Sequence, residues 1–265
     1  MTDDENSEDG EALKGTVPAI AELAKAVPMD ALVIWGAEQY RRFAQRIEKK
    51  LDATPREHIN RTPKASVVVP ALEAVRLTES EVDLQEFYAN LITRAMDKRV
   101  ADGIFPSFVE ILKQLTSDEA KLLKTFKDGM DKGELVVPIV HIQQEVFDDS
   151  GRRIGGLDVV KNRSLIGDQA ECEYPNQVPS YLDNLARLGL IVFHAPGTGY
   201  ADKSVYRELE ADPEVEALRR QYEQPPRHRT KYVRTGLEVT TFGRHFINAC
   251  VRPYESTHPS SDTAG

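Results

Sequence analysis

The sequence of 265 residues is short of cysteine, tryptophan, long apolar runs and net positive charge, and each shortage excludes something. Its two cysteines, Cys172 and Cys250, stand far apart. Six histidines (His58, His141, His194, His228, His245 and His258) are scattered around them. Structural metal sites want Cys and His in tight groups, so the spacing assigns no metal ligand and no disulfide framework. The longest unbroken apolar run, 31–35, is far below the roughly 20 residues that span a bilayer. That argues against stable membrane insertion. The N-terminus is acidic and has no apolar segment of signal-peptide type behind it, so the expected location is the cytoplasm, with two reduced thiols.

Basic charge is also scarce, the net charge being −9. Of the 43 acids, six lie within residues 1–12, which contain no base; the other 37 face 34 bases. A near-neutral body lacks the broad basic footprint of a nonspecific nucleic-acid binder, although it leaves room for a local patch. No glycine-rich phosphate loop, dinucleotide fingerprint, nucleophile elbow or H-E-x-x-H is present. The sequence therefore assigns no catalytic residue and no cofactor.

What the chain does have is helix-forming pattern. At 40% apolar it can build a sizeable core. The strongest signal is an amphipathic helix over 79–99, with Leu84, Phe87, Tyr88, Leu91, Ile92, Ala95 and Met96 on one face. A helix is expected over 16–27, stopped by Pro28, and another over 30–51, capped by Asp30. The second carries a basic face of Arg41, Arg42, Arg46, Lys49 and Lys50, which reads as a solvated face or as one that could lie on anionic lipid. Residues 67–69 look strand-like before Pro70, which suits the first turn of a short helix. Thr78 and Glu81, and Thr116 and Glu119, have capping-box spacing. Pro106 suits the first turn of a helix over 107–115, and another helix follows.

Beyond Gly133 the texture changes. Residues 135–142 read as an edge strand or extended link around Pro138, and 148–162 as a glycine-bearing loop. A helix over 177–188 stops at Gly189. A strand follows at 190–193, then a charged helical segment over 202–223 broken at Pro213. A basic loop over 224–230 precedes a strand over 232–239 and a closing helix over 241–251. This order is winged-helix-like. The expected fold class is mainly α, an N-terminal helical domain followed by a winged-helix-like α+β domain. The expected bounds are an acidic disordered tail over 1–13, the helical domain over 14–132, the second domain over 133–252 and a disordered tail over 253–265.

Two patches stand out as candidate surfaces. Asn90, Arg94 and Asp97, spaced by four and three, line a polar stripe beside the apolar face of the central helix, either a binding surface or a hydrogen-bonded edge of the core. Arg227, Arg229, Lys231 and Arg234, interleaved with Tyr232, form a basic stretch suited to phosphate and base contacts, or else a charged strand edge. The acids Glu79, Glu81, Asp83 and Glu86 crowd the start of the central helix, where the helix dipole favours them.

The segments PALEAVRLTESEVDLQEFYANLITRAMDK (70–98) and PSFVEILKQLTSDEAKLLK (106–124) resemble the signature of the Abi-alpha family, as do YLDNLARLGLI (181–191) and LEVTTFGRHFINAC (237–250). The resemblance implies a bacterial protein in abortive-infection defence against phage, and it brings no catalytic residue with it. Related sequences often carry His before the Pro-Ser-Phe turn, where this one has Phe105. The reading that follows is a non-enzymatic sensing or interaction module with a phage or host protein as partner. Nucleic acid is the alternative partner, and a membrane-associated effector acting through 30–51 is a further one. The sequence leaves oligomeric state open.

Overall fold

The computed structural model describes residues 37–255 apart from Ala53, Arg61 and Glu79. The expected tail over 1–13, the helix over 16–27, the Asp30 cap and residues 256–265 lie outside the described residues.

The described chain contains α1 (Ala37–Leu51), α2 (Ala65–Val75), α3 (Val82–Ala95), α4 (Pro106–Leu112) and α5 (Ser117–Lys132). Then come β1 (Ile139–Phe147), β2 (Arg153–Arg163), α6 (Ile166–Gln169), α7 (Val178–Arg187) and β3 (Ile191–Phe193). The remainder is α8 (Arg207–Ala211), α9 (Pro213–Gln221), β4 (His228–Thr235), β5 (Leu237–Val239) and α10 (Thr241–Phe246), which runs into one π-helical turn, Ile247–Val251. The class is helix-rich α+β. Two compact units divide the chain: one ends at Ser117 and resumes at His245, and the other is Asp118–Arg244. The units do not divide at the expected 132 and 252; at the second of these, the turn Ile247–Val251 packs with α3 in the helical unit.

In the helical unit, α3 is the centre and packs against α1, α2, α4 and the π-helical turn. Every residue of its expected apolar stripe is buried. α1 contributes Tyr40, Phe43, Ala44, Ile47 and Leu51, and α4 contributes Phe108, edge-on to Phe246 at 5.6 Å. The helix is shorter than expected at its start. Thr78 does not cap it: the Thr78 hydroxyl donates back to the Val75 carbonyl at 2.7 Å and closes the preceding turn. The strand-like valines are helical, since α2 begins at Ala65 and contains Pro70. Val67 and Val68 are fully buried there, so packing outweighs their β preference. Pro106 sits in the first turn of α4 as expected.

In the second unit, β2, β1 and β4 form an antiparallel sheet in that order. Pro138 precedes β1, so the strand that reads as an edge is the central one, with Ile139, Val140 and Ile142 buried. The loop expected over 148–162 is only a turn, and from Arg153 on it is the strand β2. One face of the sheet packs Val140 and Tyr232 with Tyr206, Leu209 and Val215. The single strand expected over 232–239 is two strands in two sheets, broken at Gly236. A Cβ at Gly236 would come within 2.6 Å of the Tyr200 ring, so only glycine lets the chain turn there. The helix stop at Gly189 is as expected, with φ of 74°.

Candidate interaction site

The polar stripe of α3 is covered by the chain's own residues 249–254. Asn90 is fully buried, and its side-chain amide reads both polarities of a peptide backbone. Nδ2 donates to the Cys250 carbonyl at 2.9 Å and Oδ1 accepts from the Tyr254 N–H at 3.3 Å. Arg94, one turn on, donates to the carbonyls of Ala249 (3.2 Å) and Pro253 (2.9 Å), and its guanidinium lies 5.5 Å from the centre of the Tyr254 ring. Burial pushes the Arg94 pKa down from its ordinary value.

Asp97, 2% exposed, closes the far end. It accepts from the Tyr254 hydroxyl at 2.8 Å and from Arg99 Nη2 at 2.7 Å. Thr54 Oγ1 stands 2.7 Å from the same hydroxyl. An ionised carboxylate only accepts, so the phenol proton goes to Asp97 and the Thr54 hydroxyl donates to the phenol oxygen. Burial pushes the Asp97 carboxyl up, but the hydrogen bonds from Arg99 and Tyr254 outweigh it and its pKa lies below the ordinary carboxylate value. Burial, first, pushes the Tyr254 phenol up. The three residues singled out in the sequence therefore meet, and they meet the end of the expected closing helix and the first two residues of the expected tail. Nothing in the spacing of Pro253 and Tyr254 announces it.

Arg227, just before β4, and the basic residues of β4 each have an acidic or aromatic neighbour. Arg227 pairs with Asp149 at 2.6 Å and Lys231 with Glu145 at 2.6 Å. Arg229 lies over Phe147 at 4.7 Å. Arg234 grips Glu210 with two hydrogen bonds, of 2.6 and 2.8 Å. Arg229 and Lys231 share one face of β4, as alternate strand residues must, and Arg153 from β2 joins Lys231 on Glu145 at 3.0 Å.

Beyond these patches, the acids at the start of α3 are dispersed in role. Glu79 lies outside the described residues and Glu86 pairs with Lys50. In α1, Arg41 and Arg42 both pair with Glu38, while the apolar side of that helix is buried in its own unit. Among the described residues no group of three or more His, Cys, Asp and Glu side chains is placed to hold a metal ion, and no helix is long and apolar enough to cross a membrane. Phe105 stands edge-on to Phe108 at 5.2 Å and 6.2 Å from the His245 ring.

A cluster that sequence reasoning missed sits in the second unit. Asp118, 4% exposed, accepts from the backbone N–H groups of Glu173 (2.8 Å) and Tyr174 (2.9 Å), from the Tyr181 hydroxyl (3.2 Å) and from Lys121 (3.1 Å). Its neighbour Glu119 accepts from Asn184 at 2.6 Å. Burial pushes the Cys172 thiol beside them up to about 11, so this cysteine is a thiol at neutral pH.

With a helical unit built round α3 and an α+β unit carrying two small antiparallel sheets, the chain can be set against known proteins. The family model described as abortive infection alpha matches residues 37–250, and the chain belongs to that family. No curated protein matches. A solved structure of an uncharacterized protein from the hydrocarbon-degrading marine bacterium Alcanivorax borkumensis SK2 is similar over 53% of this chain and 89% of that one, at 20% identity and a TM-score of 0.32.

Proposed function

We propose that the protein serves abortive-infection defence as a non-enzymatic module that binds a phage or host protein. Family membership supports the defence role. The observation that carries the binding role is the outer edge of β2. This strand ends the three-stranded sheet, and among the described residues no strand pairs with its outer side. Ile154 and Leu157 are 60% and 56% exposed there. Between them Gly155 has open space where a side chain would stand. A bare backbone flanked by exposed apolar side chains on an open edge is the arrangement onto which another strand adds.

The test is a phage challenge of cells carrying wild type or the Ile154→Lys, Leu157→Lys double variant, with a nuclease-treated pull-down from the same infected cells. Both positions face solvent, so the variant should fold. It should lose protection together with any nuclease-resistant protein partner. Full protection by the variant would overturn this reading, as would hydrolysis of a nucleotide, nucleic acid or lipid that one point substitution abolishes.

A second reading is supported by the sheet face that gathers Arg153 and Lys231 around Glu145, with Arg229 over Phe147 beside them. The order α7, β3, long excursion, β5 is winged-helix-like, and winged helices often place basic residues on nucleic acid. On this reading the Arg227, Arg229, Lys231 and Arg234 to Ala variant loses binding and salt dependence, each lost phosphate contact lowering the salt slope by about one. Wild type that binds nothing at low salt excludes it. The membrane alternative, resting on the basic side of α1, predicts salt-reversible sedimentation with anionic vesicles.

A further inference from the structure

We infer that His141 is a proton-sensitive latch on the far end of β2: the neutral ring holds Asn162 in place, and the protonated ring lets residues 160–163 come away from β1. This goes beyond the proposed binding role and concerns the opposite end of β2 from Ile154 and Leu157.

The first observation is a gap in the ladder. Between β1 and β2 the pairs are consecutive from Gln143 with Asp158 to Val146 with Gly155. Beyond the pair of Ile142 with Val160, the next is Val140 with Arg163. Lys161 and Asn162 of β2 therefore stand opposite His141 alone, the two-against-one count of a bulge. A bulge interrupts the backbone ladder, and here a side chain takes the bond over: the Asn162 N–H donates to His141 Nδ1 at 3.2 Å. Both residues are only 8% exposed, so this N–H depends on the ring for its acceptor.

The second is how much Asn162 carries. Its φ of 54° is left-handed, a conformation that Asn adopts more readily than most side chains. Its Nδ2 donates to Asp183 of α7 at 2.7 Å. One residue thus ties β2 to β1 through its N–H and to α7 through its amide, and the first of these ties can be titrated away.

The third is the chemistry of the ring. A neutral imidazole has one accepting nitrogen, so acceptance at Nδ1 puts the proton on Nε2. An imidazolium carries a proton on both nitrogens. A second proton at Nδ1 would face the Asn162 N–H, donor against donor, and the bond would be lost. The charges that face the ring are Asp158 and Lys161 from β2 and Asp183 from α7, while its register partner on β4, Val233, has none. Asp158 accepts from Gln143 Nε2 at 3.1 Å, and Asp183 is engaged by Asn162. Burial, first, disfavours the charged ring; Lys161 acts with it, Asp158 and Asp183 act against it, and the balance keeps the closed ring neutral below its ordinary 6.5. An opened ring titrates at that ordinary value. Opening therefore takes up a proton and is favoured as pH falls below 6.5. The pairs from Gln143 to Val146 need no ring as acceptor, so their route to exchange is unfolding of the whole unit.

The experiment is native-state hydrogen exchange on the full-length chain, followed by NMR in low urea at a series of pH values and corrected for the intrinsic rate. The Asn162 amide should open independently of urea and be less protected than the amides of Gln143 to Val146. Its opening should increase by up to about tenfold for each pH unit below the ordinary histidine pKa. His141→Gln, which takes up no proton, should abolish that slope. Wild type supplies a second reading that needs no variant: at neutral pH the ring nitrogen shifts should show Nδ1 bare and Nε2 protonated. An Asn162 amide as protected and as urea-dependent as those of Gln143 to Val146 opens only with the whole unit and overturns the inference. So does urea-independent opening that ignores pH, or a proton found on Nδ1. Should His141→Gln fail to fold, the wild-type amides and ring signals decide it. Neither measurement involves phage or a partner, so failure here leaves the β2 edge standing, and loss of the β2 partner leaves the latch standing.

Discussion

The Asp97 carboxylate and the Tyr254 hydroxyl, 157 residues apart in sequence, share a 2.8 Å hydrogen bond that fastens the end of the described chain to its central helix. Replacing Asp97 with Ala leaves the phenol and Arg99 without their acceptor, and should lower stability by about 2 kcal/mol. Asp97→Asn keeps the shape and isolates the charge. The folded pKa of Asp97 lies below its ordinary value of 3.8, so its contribution is present above that pH and is lost as pH falls through the folded value. Urea unfolding of wild type should weaken along that acid limb, and Asp97→Asn should show a shallower limb.

Asp118 should be the more sensitive position. Its four donors include two backbone N–H groups that have no side chain to move away. Asp118→Ala should destabilise the second unit by about 3 kcal/mol, and Asp118→Asn by less, read from denaturant midpoints. Unchanged midpoints would show that the 171–174 segment does not depend on this carboxylate.

His141 sets a pH dependence of opposite chemical origin and the same sign. It is buried in β1, where its Nδ1 accepts from the Asn162 N–H at 3.2 Å. Burial holds its pKa below 6.5, with the charges of Asp158, Lys161 and Asp183 around it. The unfolded state takes up the proton first, so stability is full above pH 6.5 and falls as pH drops below it toward the folded value. A His141→Gln variant should lose this slope below pH 6.5, whatever its absolute stability.

Gly243 should tolerate no side chain. A Cβ there would stand 2.0 Å from the Leu190 carbonyl oxygen, and backbone cannot yield as a side chain does. Gly243→Ala should cost at least about 3 kcal/mol or prevent folding, checked by thermal melting against Gly103→Ala, whose Cβ meets nothing within 4 Å.

Much of the helical unit was legible because its signals are local. The stripe from Leu84 to Met96 repeats at the helix period, and one apolar stripe has only one way to be satisfied: burial. Pro106 and Gly189 mark a helix start and a helix end through restrictions on their own backbones. Where the reading missed, a distant partner had overruled a local preference. Val67 and Val68 are helical because α3 gives them a buried face. From Arg153 the expected loop is a strand because β1 runs beside it and supplies the ladder that its glycines alone would not announce. Residues 232–239 split because the Tyr200 ring leaves no room for a side chain at Gly236.

By itself the sequence determined that a central helix exists, which face of α3 is apolar and that Asn90, Arg94 and Asp97 share a stripe, since these follow from spacing along one chain. Tertiary structure alone decided what that stripe holds. Hydrogen bonds from Asn90 and Arg94 to carbonyls some 160 residues away depend on where the chain returns, and a carbonyl carries no residue-specific signature from which a sequence could name it.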